Sequence, residues 1–419
     1  MSACHTIEAL QEAIFKRDEK IVYRANGNRT VNGSTFLRRL EKIYPKVGIT
    51  RVAEISHLAF NGYSVYQATR PKLHTHWSVG QNTGSQGKGP TVTQAKISAI
   101  MEGIESYCAE PKNMNLIRNS YNQLKNQHRL IRPSDLIHCI GVEIAMDHEP
   151  IMWTEALHYD SQEKILVPAE AVFFPFSAAD FQTRSLYSCS SNGLASGATY
   201  IEAVIHALYE IIERYYWAAR EIQEKSLVIK AIYEDDYHRI GLIKSNLEAD
   251  WAIQLYALFL PNHKNIPVVM CSIVSDLEEL SSGWGCCLNV DIAIERAISE
   301  AFQGLATKYS GAREDMNRKK SIPVALFEAE FPLKRSLHLR EYKKMSIDKA
   351  YKNLRDELND LVSWLKNHGF KNLCIANLSR VGVDVPVVKV IVPGLDCAIV
   401  LRQPKLYKSE DIKKSNFSF

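Results

Sequence analysis

One helical pattern occurs three times in this chain, and it limits the fold more than any other feature. Laid in register, Gln94-Ala95, Ala99, Glu102, Glu105 and Tyr107 fall on Glu202-Ala203, Ala207, Glu210, Glu213 and Tyr215. A third segment repeats the frame with Ala293, Ala297, Glu300 and Gln303. Each copy sets small alanines on one side of a helix and acids or amides three residues apart. Residues three, four and seven apart share a helix face, so Ser98, Glu102 and Glu105 make one stripe and Glu202, His206, Glu210 and Glu213 another. The remaining positions are apolar: Ile97, Ile100, Met101 and Ile104 in the first copy, Val204, Ile205, Leu208, Ile211 and Ile212 in the second. Both helices are therefore expected to be buried nearly all round.

Two ionised carboxylates one turn apart repel, and burying them unpaired costs several kcal/mol. A cation between them removes that cost. Oxygen donors without a Cys/His cluster suit Mg²⁺ or Ca²⁺ rather than zinc. A blander origin exists for two positions, because Glu202 follows Thr199 and Gln94 follows Thr91 at capping-box spacing. A glutamate pair on a lone helix is ordinarily a solvated face. Its recurrence in two apolar helices, with an acid–amide pair in a third, points instead to a metal site.

Composition narrows the setting. The chain has 419 residues and a net charge of +4, enough length for one large or two medium domains and too little charge for a nucleic-acid surface. Its nine cysteines form no CxxC pair and many lie in apolar runs, so they read as reduced core thiols of a cytoplasmic protein. The longest apolar run, 385–401, is broken by Lys389 and Asp396, and no membrane segment is expected.

Along the chain, residues 1–47 read as a polar, basic N-terminal helical appendage. From Gly48 an alternating, β-branched stretch predicts two strands joined at Asn61-Gly62. The run 78–91 reads as a glycine-rich loop opening into the first acidic helix. Glycines beside Lys88 and a helix N-terminus together favour an anion, although no GxxxxGK[ST] pattern is present. Phosphate and Mg²⁺ together suggest a nucleoside triphosphate. Arg214 either pairs with Glu210 one turn away or faces phosphate. His206, on the acidic stripe, is a candidate general base or a core histidine. Short apolar runs at 136–144, 165–167 and 171–176 predict a mixed sheet, and strands recur through 228–290. Residues 341–368 predict a solvated covering helix around Leu354, Leu358, Leu361 and Leu365. Residues 386–396 predict a buried strand with a Pro-Gly stop, and 406–419 a charged, mobile tail. The expected class is α+β, with mixed sheets packed by helices.

These motifs resemble the YcaO family, ATP-dependent enzymes that act on peptide backbone amides. The resemblance covers roughly Gly48 to Pro404. It rests on Gly87 to Gly89, Ser98-x3-Glu102-x2-Glu105, the NGLAxG stretch from Asn192, Glu202 with Glu210-x2-Glu213-Arg214, the EAxQ element at Glu300 to Gln303, Gly311 to Asp315 and the VIVPGL run. It implies a catalytic domain over 48–405 that binds ATP and Mg²⁺. In that reading Glu102, Glu105, Glu210 and Glu213 hold metal, Ser98, Asn192 and Glu202 hold nucleotide, and Lys88, Arg214 and Gln303 touch nucleotide or phosphate. Where relatives often carry an arginine after the glutamine, this chain has Leu305, Thr307 and Lys308, with Lys308 or Arg313 as replacements.

The implied reaction adds a nucleophile to a backbone carbonyl and phosphorylates the resulting oxyanion. Sulfide would give a thioamide and a neighbouring Cys, Ser or Thr an azoline. The chain ends without the proline-rich tail of azoline-forming members, and its Gly48 to Ala53 and Arg70-Pro71 features are similar to stand-alone members paired with TfuA-type proteins. Thioamide formation is therefore the favoured expectation, with cyclodehydration or a non-catalytic ATP-binding accessory role as alternatives. The expected partners are a precursor peptide or protein, a TfuA-like or leader-binding protein, and a second copy in a homodimer.

Overall fold

The three acidic helices form, at Val92–Ala109, Tyr200–Ile222 and Val290–Ser310, and each follows a strand that packs against it. The computed structural model describes residues 6–25, 27–58, 63–71, 83–111, 115–136, 147–187, 189–222, 230–232, 252–258, 265–275, 280–311 and 336–395. Strands β1 (Tyr23–Ala25) and β2 (Gly27–Arg29) make a hairpin, and β3 (Arg51–Glu54), β4 (Ser64–Thr69) and β5 (Gly84–Gly89) make an antiparallel sheet. A six-stranded sheet runs β6 (Ile117–Asn119), β7 (Ile151–His158), β15 (Cys374–Asn377), β16 (Val387–Ile391) and β9 (Leu194–Ser196), with β8 (Lys164–Pro168) paired to β7. A five-stranded sheet runs β13 (Leu280–Cys286), β12 (Val268–Val274), β11 (Ala252–Leu258), β10 (Lys230–Ile232) and β14 (Ser336–Leu337). The class is α+β, as the sequence predicts.

The glycine-rich run is a strand where the structure describes it, not a loop. Residues 84–89 pair along β4, from Ser64 opposite Gly89 to Thr69 opposite Gly84. Their glycines serve packing. A Cβ on Gly87 would sit 2.1 Å from the Ala95 carbonyl oxygen and 2.1 Å from the Ala99 nitrogen, so backbone meets backbone. The third unit repeats this contact: a Cβ on Gly283 of β13 would lie 2.2 Å from both the Ala297 oxygen and the Ala301 nitrogen. The alanines shared by the repeats are thus the helix side of a close strand–helix approach.

Among the described residues two large hydrophobic cores result, with a small third cluster of Ile55, Val65 and Ala306. One joins the second and third acidic helices to the five-stranded sheet, the helix Ile7–Lys16 and the helix Leu354–Asn367. The other joins the first acidic helix to the helix Gly33–Glu41 and much of the six-stranded sheet. The segment 1–47, expected as an appendage, is packed into this body where described: Leu10, Ile14 and Leu40 are fully buried. Residues 341–368, expected as one helix, belong to two, Leu339–Met345 and Leu354–Asn367, and the second buries Leu354, Leu358, Leu361 and Leu365. The Asn61-Gly62 turn, Arg313 and the 406–419 tail lie outside the described residues. No described helix is long and apolar enough to cross a membrane.

Gly283→Ala is expected to lower the unfolding free energy by about 2 kcal/mol through overpacking against Ala297 and Ala301. Denaturant titration reads it; an unchanged midpoint would show that the strand–helix gap has slack.

Candidate active site

A cavity of about 560 Å³ opens where the three strand–helix units meet. Its wall includes Lys88, Ser98, Glu102, Glu105, Glu202, His206, Glu210, Glu213, Arg214 and Gln303, so ten residues singled out in the sequence come together. Asn192 lies beside the cavity, between the lining residues Ser191 and Leu194, but does not line it. Glu300, the third helix's copy of Glu102 and Glu210, lines it too.

The units interlock in a ring. On β5 the residues between the helix-facing glycines point the other way, and Lys88 bonds Glu300 of the third helix. On β9 the equivalent residue is Ser196, whose N–H and hydroxyl donate to Glu105 Oε1 of the first helix at 2.8 and 2.6 Å. On β13 the equivalent residue is the buried Cys286, and Trp284, two residues before it, lines the cavity while the strand packs against the second helix. Each strand therefore serves the helix of a neighbouring unit as well as its own. Within the first unit, the Gln86 N–H donates to Glu102 Oε2 at 2.7 Å.

Glu202 is tied to the N-terminal segment. Thr30 donates its N–H at 2.6 Å and its hydroxyl at 2.7 Å to Oε1, while the Ala198 N–H reaches Oε2 at 3.0 Å. The Glu202 N–H also meets Thr199 Oγ1 at 3.3 Å, so capping and cavity-lining coexist in one residue. Gln94 caps through Thr91 and likewise faces the cavity. Arg214 lies 3.9 Å from Glu210, so the pair forms inside the cavity rather than on an outer surface.

Burial, with charge crowding added to it, sets the electrostatics of the cavity. Burial, then the charges of Glu102 and Glu210, push Glu105 up to about 8 against the pull of its Ser196 bonds. Glu213 rises to about 7 through burial and Glu300, with Arg214 and Lys88 pulling it down. His206 moves the other way. Its ring opens into the cavity but sits deep in the protein, and burial with Arg296, Arg29 and Lys88 holds its pKa below the ordinary value. The ring is neutral at physiological pH and a weak base.

Among the described residues no three His, Cys, Asp or Glu side chains close to metal-ligating geometry. The glutamates are instead tied to N–H, hydroxyl, ammonium and guanidinium groups. The donor set nonetheless fits a hard divalent cation: several carboxylates from three helices face one cavity, and two of them, Glu105 and Glu213, are held towards their protonated form by burial and by neighbouring carboxylates.

Sequence reasoning missed Arg29, Arg296, Gln86 and Tyr23 in the wall. Arg296 was findable, because it precedes Glu300 and Gln303 by the spacing at which Ser98 and His206 precede their glutamates. Arg29 and Tyr23 come from the hairpin β1–β2 and carried no signal.

Residues 86–396 match a family model described as "YcaO cyclodehydratase, ATP-ad Mg2+-binding". An uncharacterized protein of Methanothermobacter thermautotrophicus is 30% identical over 385 residues, covering 88% of this chain and 95% of that protein. A Rhizobium leguminosarum bv. trifolii protein, described as lying in the tfuA 3' region, is 28% identical over 381 residues, 84% of each chain. Among solved structures, YcaO from Methanopyrus kandleri bound with AMPPCP and Mg²⁺ superposes with a TM-score of 0.73 at 22% identity, covering 93% of this chain and 98% of that one. A heterocyclase in complex with substrate and cofactor gives 0.72 at 19% identity, covering 92% and 55%. A ring of glutamates on three repeated helices and a family match over most of the length lead to one conclusion: the chain belongs to the YcaO family.

Proposed function

We propose that this protein uses ATP and Mg²⁺ to activate a backbone amide of a ribosomally made peptide or protein, with thioamide formation as the favoured outcome. The observation that carries the reading is the meeting of Glu102, Glu105, Glu210, Glu213 and Glu300, from three helices, in one cavity with Lys88 and Arg214. Hydrosulfide adds to the amide carbon, the resulting oxyanion takes the terminal phosphoryl group of ATP, and phosphate leaves with the former carbonyl oxygen. The products are a thioamide, ADP and phosphate. Attack by a neighbouring Cys, Ser or Thr would give an azoline by the same activation. The family description favours that second reading, whereas likeness to the protein of the tfuA 3' region favours the first.

Bound Mg²⁺·ATP supplies the phosphoryl group and the positive charge that offsets its transfer. The chain's own residues do the rest. Glu102, Glu105, Glu210 and Glu213 would ligate metal, while Lys88 and Arg214, each beside a carboxylate, would turn towards phosphate oxygens. Ser98, Glu202 and Gln303 would hold the nucleotide, with Asn192 behind them. His206, kept neutral by surrounding cations, would act as a hydrogen-bonding group and not as the base. A precursor peptide is the proposed substrate, with a TfuA-like or leader-binding protein as helper and a homodimer as the working form.

Incubation with ATP, Mg²⁺, sulfide and a candidate precursor peptide tests the reading by product mass. A gain corresponding to oxygen-to-sulfur exchange supports thioamide formation and loss of a water supports azoline formation. Absence of peptide-dependent phosphate release with any partner would leave an accessory role.

Glu102→Gln and Glu210→Gln should each lower turnover by about 100-fold or more. Because each removes a charge from a crowded cluster, melting temperature should hold or rise; a fall would mean that the carboxylates are structural. His206→Asn should leave the acid limb of the pH–rate profile where it is, since the ring does not titrate there. Disappearance of a limb near the ordinary histidine range would restore His206 as the base.

A further inference from the structure

The wall of the cavity carries a second cationic group, apart from Lys88 and Arg214. Arg29 reaches it from β2 and Arg296 from the third acidic helix. The two guanidiniums flank Gly27, whose φ is +139°. A Cβ there would lie 3.3 Å from Arg296 Nη2 and 3.4 Å from Arg29 Cζ. Two like charges converge where a glycine leaves them room. Such convergence is unfavourable by itself and becomes favourable when both face one anion.

One buried carboxylate bonds a neighbour of each arginine. Glu357, on the helix Leu354–Asn367, is 1% exposed, so the helix expected to be a solvated cover donates an inward acid. Its Oε2 accepts from Asn28 Nδ2 at 2.8 Å, fixing the hairpin residue next to Arg29. Its Oε1 accepts from the Tyr209 hydroxyl at 2.5 Å. The Tyr209 ring carries the Arg296 guanidinium 5.3 Å from its centroid, and Arg296 Nη1 donates to the Cys286 carbonyl at 2.9 Å. The Leu288 N–H donates to the Tyr209 hydroxyl at 3.1 Å and completes the lock.

We propose that Arg296 and Arg29, positioned by Glu357, form a clamp for the terminal phosphate of the nucleotide, an assignment that rests on the ATP-dependent reading above. The charge argument selects that phosphate. A terminal phosphate carries about two negative charges and three free oxygens, whereas a bridging phosphate carries about one charge, so two guanidiniums match the former. Arg296 and Arg29 contact the ligand in this proposal, and Glu357 is a positioning residue.

Calorimetric titration of the full chain with Mg²⁺ and either a non-hydrolysable ATP analogue or ADP tests the clamp. Arg296→Gln and Arg29→Gln should each weaken the analogue about tenfold or more and leave ADP nearly unchanged. Glu357→Ala should reproduce that selective loss from outside the cavity. If it fails to fold, the two arginine variants, both on partly exposed side chains, still decide the matter. Parallel loss of analogue and ADP, or no loss of either, overturns the clamp. A wild-type chain that binds neither nucleotide overturns the ATP reading itself.

Discussion

Everything at the centre of this molecule depends on close approach of strand to helix. Glycines at 87 and 283 let β5 and β13 press against the alanine faces of their helices until backbone touches backbone. That contact fixes each helix's rotation, so the opposite face, with its glutamates, can point only at the shared cavity. Carboxylates buried together in this way cannot all ionise cheaply, and burial, with the charges of Glu102 and Glu210, raises Glu105 to about 8. A cation bound among them would offset that cost.

The periphery of the cavity follows a different logic. Thr30 reaches across to Glu202, and the buried Glu357 joins the N-terminal hairpin to Tyr209. Segments from the two ends of the chain thereby complete a site whose centre lies in the middle. A chain trimmed to its most motif-rich portion would keep the glutamates and lose part of the wall that holds them.

Much of the site was legible because helical periodicity is rigid. Because Glu102, Glu105, Glu210 and Glu213 share stripes amid apolar neighbours, a half-buried acidic face on each helix follows from geometry, and those faces meet at the cavity. What escaped was set by long-range contact. The glycine run looked like a loop because glycine is poor in strands, yet here tertiary packing overrode propensity, since a side chain would have collided with the helix. The polar segment before residue 47 looked detachable, because nothing local announces that Thr30 will meet a residue 172 positions away. Glu357 was hidden by its charged neighbours on the same helix, and only the partners supplied by Asn28 and Tyr209 make its burial tolerable.

The ring in which each strand serves the next unit's helix has one more consequence. A homotrimer with its ligand on the symmetry axis must present the same side chain three times. Three linked copies in one polypeptide are freed from that rule. Here a single register position reads Gln86, Leu194 and Trp284, and another reads Ser98, His206 and Arg296. Symmetry supplied the enclosure, and its breaking supplied a directional interior in which one end of an elongated ligand can be told from the other.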